Sequence, residues 1–579
     1  MRVELAGARP FLLSLCVLCA GTQSNAQEVS VYQFPGGSWG TIESPREHIT
    51  DQTHQALWQT IQDNIAMLRE QGRLAGRKAA QDIRYGWPTR LATGRPEFVD
   101  HYVGNYIDQD TAPNSVRDFN CGTRTYDTAA VNGGHKGTDI SLGHRAFYKM
   151  DTEQVIVVAA APGIIVARDD ANPDRVCGNL TALFAIPTIR TNVISIRHDD
   201  GTVAFYYHLK TGSLTAKAVG DAVAEGEYLA VVGSSGYSSG PHLHFELRTA
   251  DNAVIDPWQG ACNPATPASL WKVQEPHQYK VIVDLMPSKA APTGANLGTT
   301  CTDNVAAMKP AADYPQPDFY VQPDVAHNFI AFFYDFEAGD QFRFRLLRPN
   351  GSQFDVSSFS PAAGGRAGFS ALSKTIPASE AAGTWTFQFT YNDSTKAVPF
   401  HFKVPVPAPG RVYEFYHAGL DHFFRTAAAA EAQSLTPDTG FLPTGDDFFA
   451  LDRSVTNAGV SPVCRFYGSP NPGPNSHFYT ADPAECAALQ NIQAQTPVTS
   501  PRWNYEETAF AAFLPTGGAC PAEAPFPIYR LYNQHAGEVI GGKREDSNHR
   551  FTTLSSVYYK MGEQGWRGEG VVMCGEAKP

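Results

Sequence analysis

The hydrophobic positions near the start of the chain recur at helical spacing. Leu57, Ile61, Ile65 and Leu68 follow one another three or four residues apart, and a Ser-Pro-Arg-Glu helix start precedes them at 44–47. This pattern predicts an amphipathic helix over about 44–72. Two interpretations of the helix stay open: it docks on the following domain, or it is a propeptide that covers an active site.

From about residue 91 the pattern changes to short β-rich runs punctuated by glycine turns. The region 91–275 contains such runs at 155–158, 192–197, 203–207 and 228–232. The region 276–405 alternates polar and apolar residues, most clearly at 341–346 and 384–389. We therefore predict a mainly β chain, in which an antiparallel β domain precedes a domain that resembles an immunoglobulin-like β-sandwich.

An internal repeat occupies the C-terminal region, 410–579. A short aromatic strand and a segment with His-Phe, or His-Arg-Phe in the third copy, occur together three times, at 413–426, 464–480 and 529–552. The repetition predicts a module of three similar β units. It resembles the tyrosine-rich, HFYT-type repeat at the ends of secreted bacterial hydrolases. The aromatic residues either stack on sugar rings or form the core of each copy.

The first 26 residues have the organisation of a secretory signal peptide. Arg2 and Arg9 provide positive charge, an apolar run covers 11–20, and small residues end the segment at 24–26. The run is too short to cross a bilayer, and no later stretch is long enough. We expect no transmembrane segment, a mature start near Gln27, an N-terminal helical segment over 27–90, and a secreted or periplasmic protein.

Composition narrows the possible partners and the compartment. The 579 residues carry a formal net charge of −13, which argues against nucleic acid because phosphate binding needs clustered Lys and Arg. Eight of the ten cysteines remain after the signal segment. An even number in an exported chain suggests disulfides. Four cysteines lie in or beside the histidine-bearing region and four in the repeats, which favours pairing within each half, for instance Cys464 with Cys486 and Cys520 with Cys574. The other four are Cys121, Cys177, Cys262 and Cys301.

Three short segments of the region 91–275 concentrate histidines. They contain His135 with Asp139, then His208 at the end of an apolar strand, then His242 with His244. Alternate residues of a strand project to one face, so His242 and His244 look into the same cleft. A catalytic zinc ion takes three N or O ligands and keeps one position for water. Two histidines and one aspartate meet that number and leave two histidines for proton transfer.

Two further residues, Glu246 and His144, lie near the histidine segments. Glu246 shares the strand face of the histidine pair, and we interpret it as solvated or as a residue behind the metal ligands. His144 follows the first motif closely and is interpreted as a loop histidine outside the site.

The histidine segments resemble the signature of the LytM/lysostaphin-type zinc endopeptidases, which include the beta-lytic enzymes. That signature is H-x-x-x-D, a distant histidine after a strand, and H-x-H. The resemblance implies one Zn²⁺ per chain, bound by His135, Asp139 and His244. It also implies that His208 and His242 are the catalytic pair, which polarises water and stabilises the tetrahedral oxyanion. Relative to the family, the loops at 127–131 and 175–189 look enlarged, which could alter substrate access.

The resemblance implies a secreted zinc metalloendopeptidase with a LytM-like domain, which hydrolyses peptide bonds in peptidoglycan cross-links. The appended β modules would then serve targeting or stability, and the repeats could bind wall glycan. Two alternatives stay open: a cell-wall or carbohydrate-binding adhesion protein whose peptidase fold is incidental, and a secreted protease acting on glycine-rich proteins.

Overall fold

A computed structural model describes most of the chain. The described residues are 29–34, 37–42, 51–74, 83–95, 101–110, 112–127, 134–143, 145–175, 190–238, 240–277, 280–288, 320–403, 410–435, 439–456, 459–469, 473–521, 523–540 and 543–576. The expected signal peptide, the helix start at 44–47, His144, Cys177 and Cys301 lie outside them, as does most of both loops that look enlarged. Among the described residues, no helix combines the length and the apolar character needed to span a membrane.

Two strands and a long helix begin the described chain. They are β1 (Val29–Phe34), β2 (Gly37–Ile42) and α1 (Asp51–Glu70). The predicted amphipathic helix is confirmed, although the structure describes it only from residue 51. The two strands were not expected, because the whole of 27–90 was predicted to be a helical segment.

A large antiparallel sheet and a smaller one form the region that carries the histidine segments. The large sheet has the order β10-β7-β8-β9-β12-β5-β4, with β13 paired to β12, and the smaller sheet has the order β11-β6-β3. The elements are β3 (Thr89–Leu91), β4 (Tyr102–Asn105), β5 (Thr138–Ser141), α2 (Ala146–Asp151), β6 (Val155–Val158), β7 (Gly163–Asp169), β8 (Val193–Arg197), β9 (Val203–Tyr207), β10 (Ala222–Val223), β11 (Tyr228–Val231), β12 (His242–Arg248) and β13 (Val254–Ile255).

The two faces of the large sheet have different neighbours. On one face, Leu243 and Phe245 of β12 join a core that includes Val157 of the smaller sheet. On the opposite face, Phe205 and Tyr207 of β9 pack against apolar residues of α1. Strand alternation places His242 and His244 on this second face. Helix α1 therefore docks on the same face of the sheet as the histidine pair.

A β-sandwich follows. One sheet has the order β1-β2-β19-β16-β14, and it packs against a second sheet of order β15-β21-β20-β17-β18 around a phenylalanine-rich core. The N-terminal strands thus complete a sheet formed by residues far along the chain. The new elements are β14 (Val281–Ser288), β15 (Tyr320–Val321), β16 (Ala326–Phe336), β17 (Phe342–Leu347), β18 (Gln353–Phe359), β19 (Gly365–Thr375), β20 (Gly383–Tyr391) and β21 (Ser394–Phe402).

The sandwich packs against the edge strand β4 of the large sheet. Tyr102 joins a buried cluster with Ile330, Phe332 and Phe369 of the sandwich, and its ring lies 4.3 Å from that of Tyr334. The contact is apolar and buried, which fixes the two regions relative to each other.

The C-terminal region repeats one arrangement three times within its described residues. In each copy, a strand pairs with the strand that contains the histidine and the phenylalanine. A helix and a closing strand follow. The elements are β22 (Gly410–His417), β23 (His422–Thr426), α3 (Ala429–Ser434), β24 (Phe441–Pro443), β25 (Phe448–Ala450), β26 (Val460–Ser469), β27 (Gly473–Thr480), α4 (Pro483–Gln495), β28 (Trp503–Phe513), β29 (Phe526–Tyr532), β30 (Val539–Ile540), β31 (Lys543–Arg544), β32 (His549–Thr552), α5 (Ser555–Glu563) and β33 (Arg567–Gly575). Phe424, Phe478, Tyr479 and Phe551 are buried, so these repeat aromatics form core.

Disulfides tie the described cysteines within each half of the chain. Cys464 bonds Cys486, and Cys520 bonds Cys574, which confirms the pairs that the sequence suggested. Cys121 bonds Cys262 in the histidine-bearing region.

The repeat module also docks on the histidine-bearing region. Glu153, which is buried, accepts hydrogen bonds from the Ser556 backbone N–H (2.7 Å) and from Lys210 Nζ (2.8 Å). Ser556 lies in the first turn of α5, a helix whose own N-cap residue makes no side-chain bond to it. A carboxylate from one domain thus caps a helix of another.

Candidate metal centre

His135, Asp139 and His244 converge on one point inside the large sheet region. His135 Nε2 lies 3.0 Å from Asp139 Oδ1 and 3.2 Å from His244 Nδ1, and His244 Nδ1 lies 3.0 Å from Asp139 Oδ1. All three side chains are buried. This is a compact His-Asp-His group that could hold a metal ion.

Strand pairing and one glycine create this convergence. His244 of β12 is the direct cross-strand partner of Asp139 in β5, so the two side chains emerge side by side. His135 reaches them from the turn before β5. Gly137 leaves room for the His244 imidazole, because a Cβ atom on it would lie 2.4 Å from His244 Nε2.

The atoms of these side chains that point away from the centre are held by hydrogen bonds or charge. His135 Nδ1 lies 2.7 Å from the Tyr106 carbonyl oxygen, which requires an N–H at Nδ1 and leaves the Nε2 lone pair facing the centre. Asn105 Nδ2 donates to Asp139 Oδ2 at 2.9 Å, so Oδ1 is the carboxylate oxygen directed inward. Glu246 Oε2 lies 3.9 Å from His244 Nε2.

Charge at the centre favours ionised carboxylates. Burial opposes ionisation of Asp139, but His135 and His244 outweigh it and hold the pKa of Asp139 well below its ordinary value. Burial likewise acts to raise the pKa of Glu246, yet Arg248, which donates from Nε at 2.8 Å, and His244 lower it to about 2. Glu246 is buried, so its interpretation as a solvated residue is wrong; it lies behind His244, as the other interpretation proposed.

His208 and His242 lie beside the three converging residues. Their ring centroids are 4.8 Å apart, and His242 Nε2 lies 3.8 Å from Asp139 Oδ1. His208 Nδ1 donates to the Ser235 carbonyl oxygen at 2.7 Å, and His242 Nδ1 donates to that of Gly240 at 2.8 Å. In its neutral form, each ring therefore carries the acceptor lone pair on Nε2.

His208 also has an unusual backbone. It follows the last residue of β9 and has φ of 60°, in the left-handed region that a residue with a Cβ rarely adopts. Such conformations cost free energy and concentrate at functional sites, where surrounding contacts hold them. Here the Thr191 hydroxyl accepts from the His208 backbone N–H at 3.2 Å.

The structure thus brings together all five residues that the sequence singled out. The arrangement offers an N/O donor set for a metal and two imidazoles able to exchange protons next to it. Sequence reasoning missed Asn105 and the carbonyl groups of Tyr106, Ser235 and Gly240. A backbone carbonyl is present at every residue, so no sequence signal identifies these three.

Comparison with known protein families assigns two parts of the chain. Residues 133–257 match the model of peptidase family M23, and residues 411–576 match that of a domain of unknown function, DUF5648. The second match does not confirm the expected relation to HFYT-type repeats. The metal-centre residues and both further histidines lie inside the first match.

Relatives of known sequence and structure resemble short parts of this chain. Over 57 residues it is 46% identical to the DD-carboxypeptidase/endopeptidase Mpg of Neisseria meningitidis serogroup B, and the same values hold for Mpg of Neisseria gonorrhoeae. Each match spans 10% of this chain and only 12% of the relative.

Solved structures give similarly partial matches. The catalytic domain of the antimicrobial peptidase lysostaphin from Staphylococcus simulans is 23% identical, with 27% of this chain and 89% of that chain covered and a TM-score of 0.18. A putative peptidase M23 from Pseudomonas aeruginosa is 16% identical, with 40% and 84% covered and a TM-score of 0.18. By the family model, residues 133–257 of this mainly antiparallel β protein match peptidase family M23.

Proposed function

We propose that this protein is a secreted zinc metalloendopeptidase that hydrolyses peptide bonds in peptidoglycan cross-links. The observation that carries the proposal is the juxtaposition of His208 and His242 with the His135–Asp139–His244 group. The match to peptidase family M23 supports peptide-bond hydrolysis. The name of the Mpg relatives, DD-carboxypeptidase/endopeptidase, supports wall peptides as the substrate class.

The donor set fits one Zn²⁺ per chain. Two imidazole nitrogens and one carboxylate oxygen are the ligand types of catalytic zinc sites, which keep a further position open. Hydrogen bonds also hold two of these ligands in place. The Tyr106 carbonyl oxygen accepts from His135, and the Asn105 amide donates to Asp139. When bound, zinc would lower the pKa of water and polarise the scissile carbonyl group.

His208 and His242 would handle the protons and the developing charge. His208, held through Nδ1 by the Ser235 carbonyl, can accept a proton from the attacking water at Nε2. His242, held in the same way by Gly240, can donate from Nε2 to the oxyanion once it is protonated. Because both rings are fixed by main-chain groups, neither has to reorient during the reaction.

Two features support the proposed compartment. The disulfides of the described residues favour an oxidising location, and the N-terminal sequence has the features of a signal peptide. The repeat module is proposed to bind wall glycan through its partly exposed residues, and a pull-down of the protein on purified sacculi tests this. Sequencing of the mature N-terminus shows whether α1 is retained or removed as a propeptide.

The proposal is tested by zinc analysis and by product analysis of single-residue variants. His244→Ala should lose both zinc and activity, whereas His208→Ala should keep stoichiometric zinc and lose about 10²–10⁴-fold in turnover. His401→Ala in the sandwich is the matched control and should keep both. Mass spectrometry of digested peptidoglycan and elastin separates wall peptides from glycine-rich protein as the substrate. Wild-type protein without stoichiometric zinc would contradict the proposal.

A further inference from the structure

An arginine of the sandwich reaches the backbone next to the metal centre. Arg366, in β19, donates from Nη1 to the carbonyl oxygen of Gly104 at 2.8 Å and to Asn105 Oδ1 at 2.9 Å. Its Nη2 donates to the Thr123 carbonyl oxygen at 2.9 Å. Arg366, Gly104, Asn105 and Thr123 all lie outside the residues matched to peptidase family M23.

Gly104 is the extra residue of an irregularity in the sheet. In the pairing of β4 with β5, Val103 lies opposite Ile140 and Asn105 opposite Asp139, so Gly104 is bulged out between them. A bulge of this kind redirects the neighbouring side chains. The bulge turns Asn105 towards Asp139, and the guanidinium of Arg366 holds the bulged carbonyl group.

Arg366 also determines which way the Asn105 amide faces. A guanidinium has only donors, so it must meet the amide oxygen. The amide nitrogen then faces Asp139 Oδ2, an acceptor, and donates to it at 2.9 Å. If the amide were turned over, its nitrogen would face the Arg366 guanidinium, which has only donors. Its oxygen would then face Asp139 Oδ2, which is an acceptor. The contacts therefore form a directed chain from Arg366 through Asn105 to Asp139.

The position of Arg366 is itself well fixed. Ala367, which directly follows Arg366 in β19, and Phe369 belong to the buried cluster that includes Tyr102 of β4. The guanidinium thus extends from a sheet that packs against β4, the strand that contains Asn105. A planar group with three bonds to fixed oxygens is more restrictive than a flexible lysine would be.

We propose that Arg366 is a positioning residue for the metal centre, which orients Asp139 through Asn105. The sandwich is therefore a structural part of that centre. The inference rests on the proposed role of Asp139 as a zinc ligand. It predicts that loss of the guanidinium frees the Asn105 amide and weakens zinc binding, although Arg366 touches neither zinc nor substrate.

The test is a zinc-affinity comparison on the full chain by competition with a chromophoric chelator. Arg366→Ala and Asn105→Ala should each weaken zinc binding by about 10–100-fold, the range typical of residues behind metal ligands. Arg366→Lys should restore part of the affinity. The double variant should lose no more than the Asn105 variant alone, because both act through one path.

Asp284→Asn is the matched control. Asp284, in β14, forms an ion pair with Arg145 across the same boundary and accepts a hydrogen bond from the Leu285 backbone N–H. The control should bind zinc as the wild type does. Thermal unfolding of the metal-free variants, and the visible spectrum of Co²⁺-substituted protein, distinguish altered ligand geometry from general destabilisation.

The outcomes separate this inference from the proposed function. If the wild type binds no zinc, the proposed function fails. If the wild type binds zinc and Arg366→Ala binds it equally well, with an unchanged Co²⁺ spectrum, the positioning role is refuted and the proposed function stands. If Asp284→Asn weakens zinc binding as much as Arg366→Ala does, general loosening of the boundary explains the effect, and the specific role of Arg366 is likewise refuted.

Discussion

The substitution Gly137→Ala is expected to displace His244, a proposed zinc ligand. A Cβ atom on Gly137 would lie 2.4 Å from His244 Nε2 and 2.5 Å from His244 Cε1. Favourable contact requires about 3.5–4 Å, so the imidazole has to move by about 1 Å. Metal sites hold their ligand distances to within about 0.2 Å, and a misplacement of 1 Å can cost about 10²-fold in rate. Gly137→Ala should therefore reduce zinc affinity at least about tenfold and activity about 100-fold or more.

The assay is zinc competition together with hydrolysis of purified peptidoglycan. Gly562→Ala is the control, because a Cβ atom there meets nothing within 4 Å and the position is inside α5. It should leave zinc affinity unchanged and stabilise the helix by up to about 1 kcal/mol. Wild-type zinc affinity in folded Gly137→Ala would refute the argument that His244 must occupy this space to bind the metal.

Three further predictions concern stability. Burial raises the pKa of Asp256 to about 7, so the free energy of unfolding should fall by up to ~4 kcal/mol as the pH rises from about 4 to 7. Asp256→Asn should flatten this pH dependence in urea titrations. An unchanged pH dependence in the variant would contradict the prediction. Burial, with a contribution from His422, lowers the pKa of His477 to about 3, so stability should fall as pH drops from about 6.5 to 3. His477→Phe should reduce that loss, and an equal fall in melting temperature at pH 4 would argue against the prediction. Glu153→Ala leaves Lys210 without its carboxylate partner and should lower the free energy of chemical unfolding by about 3–5 kcal/mol. Glu563→Ala, at the same boundary but at the surface, should lower it by less. Equal losses in the two variants would contradict the prediction that the buried ion pair matters more.

Much of the local structure could be predicted from side-chain periodicity. The runs at 155–158 and 203–207 are strands with the bounds that the sequence indicated. Helix α1 follows from apolar residues at helical spacing, because that spacing creates a single face that can be buried. The N-terminal strands β1 and β2 were missed. Their partner β19 is remote in sequence, and pairing of this kind leaves no local pattern.

The candidate metal centre could likewise be predicted only in part. His135, Asp139 and His244 could be found because few residue types bind zinc and their spacing fits a turn and a strand. The contacts behind them could not be found. Tyr106 contributes a main-chain oxygen, and Arg366 reaches Asn105 only because two domains pack together.

The appended domains contact the histidine-bearing region at two separate places. The sandwich holds Asn105 beside Asp139. Glu153 of the histidine-bearing region caps α5 of the repeat module and also binds Lys210, two residues after His208. An isolated histidine-bearing region would expose Tyr102 to water and leave Lys210 and Glu153 without the α5 partner. Under the proposed function, both losses occur close to residues whose geometry must be held to fractions of an ångström for metal binding and proton transfer. The physical unit that maintains the site therefore extends beyond the residues that match peptidase family M23.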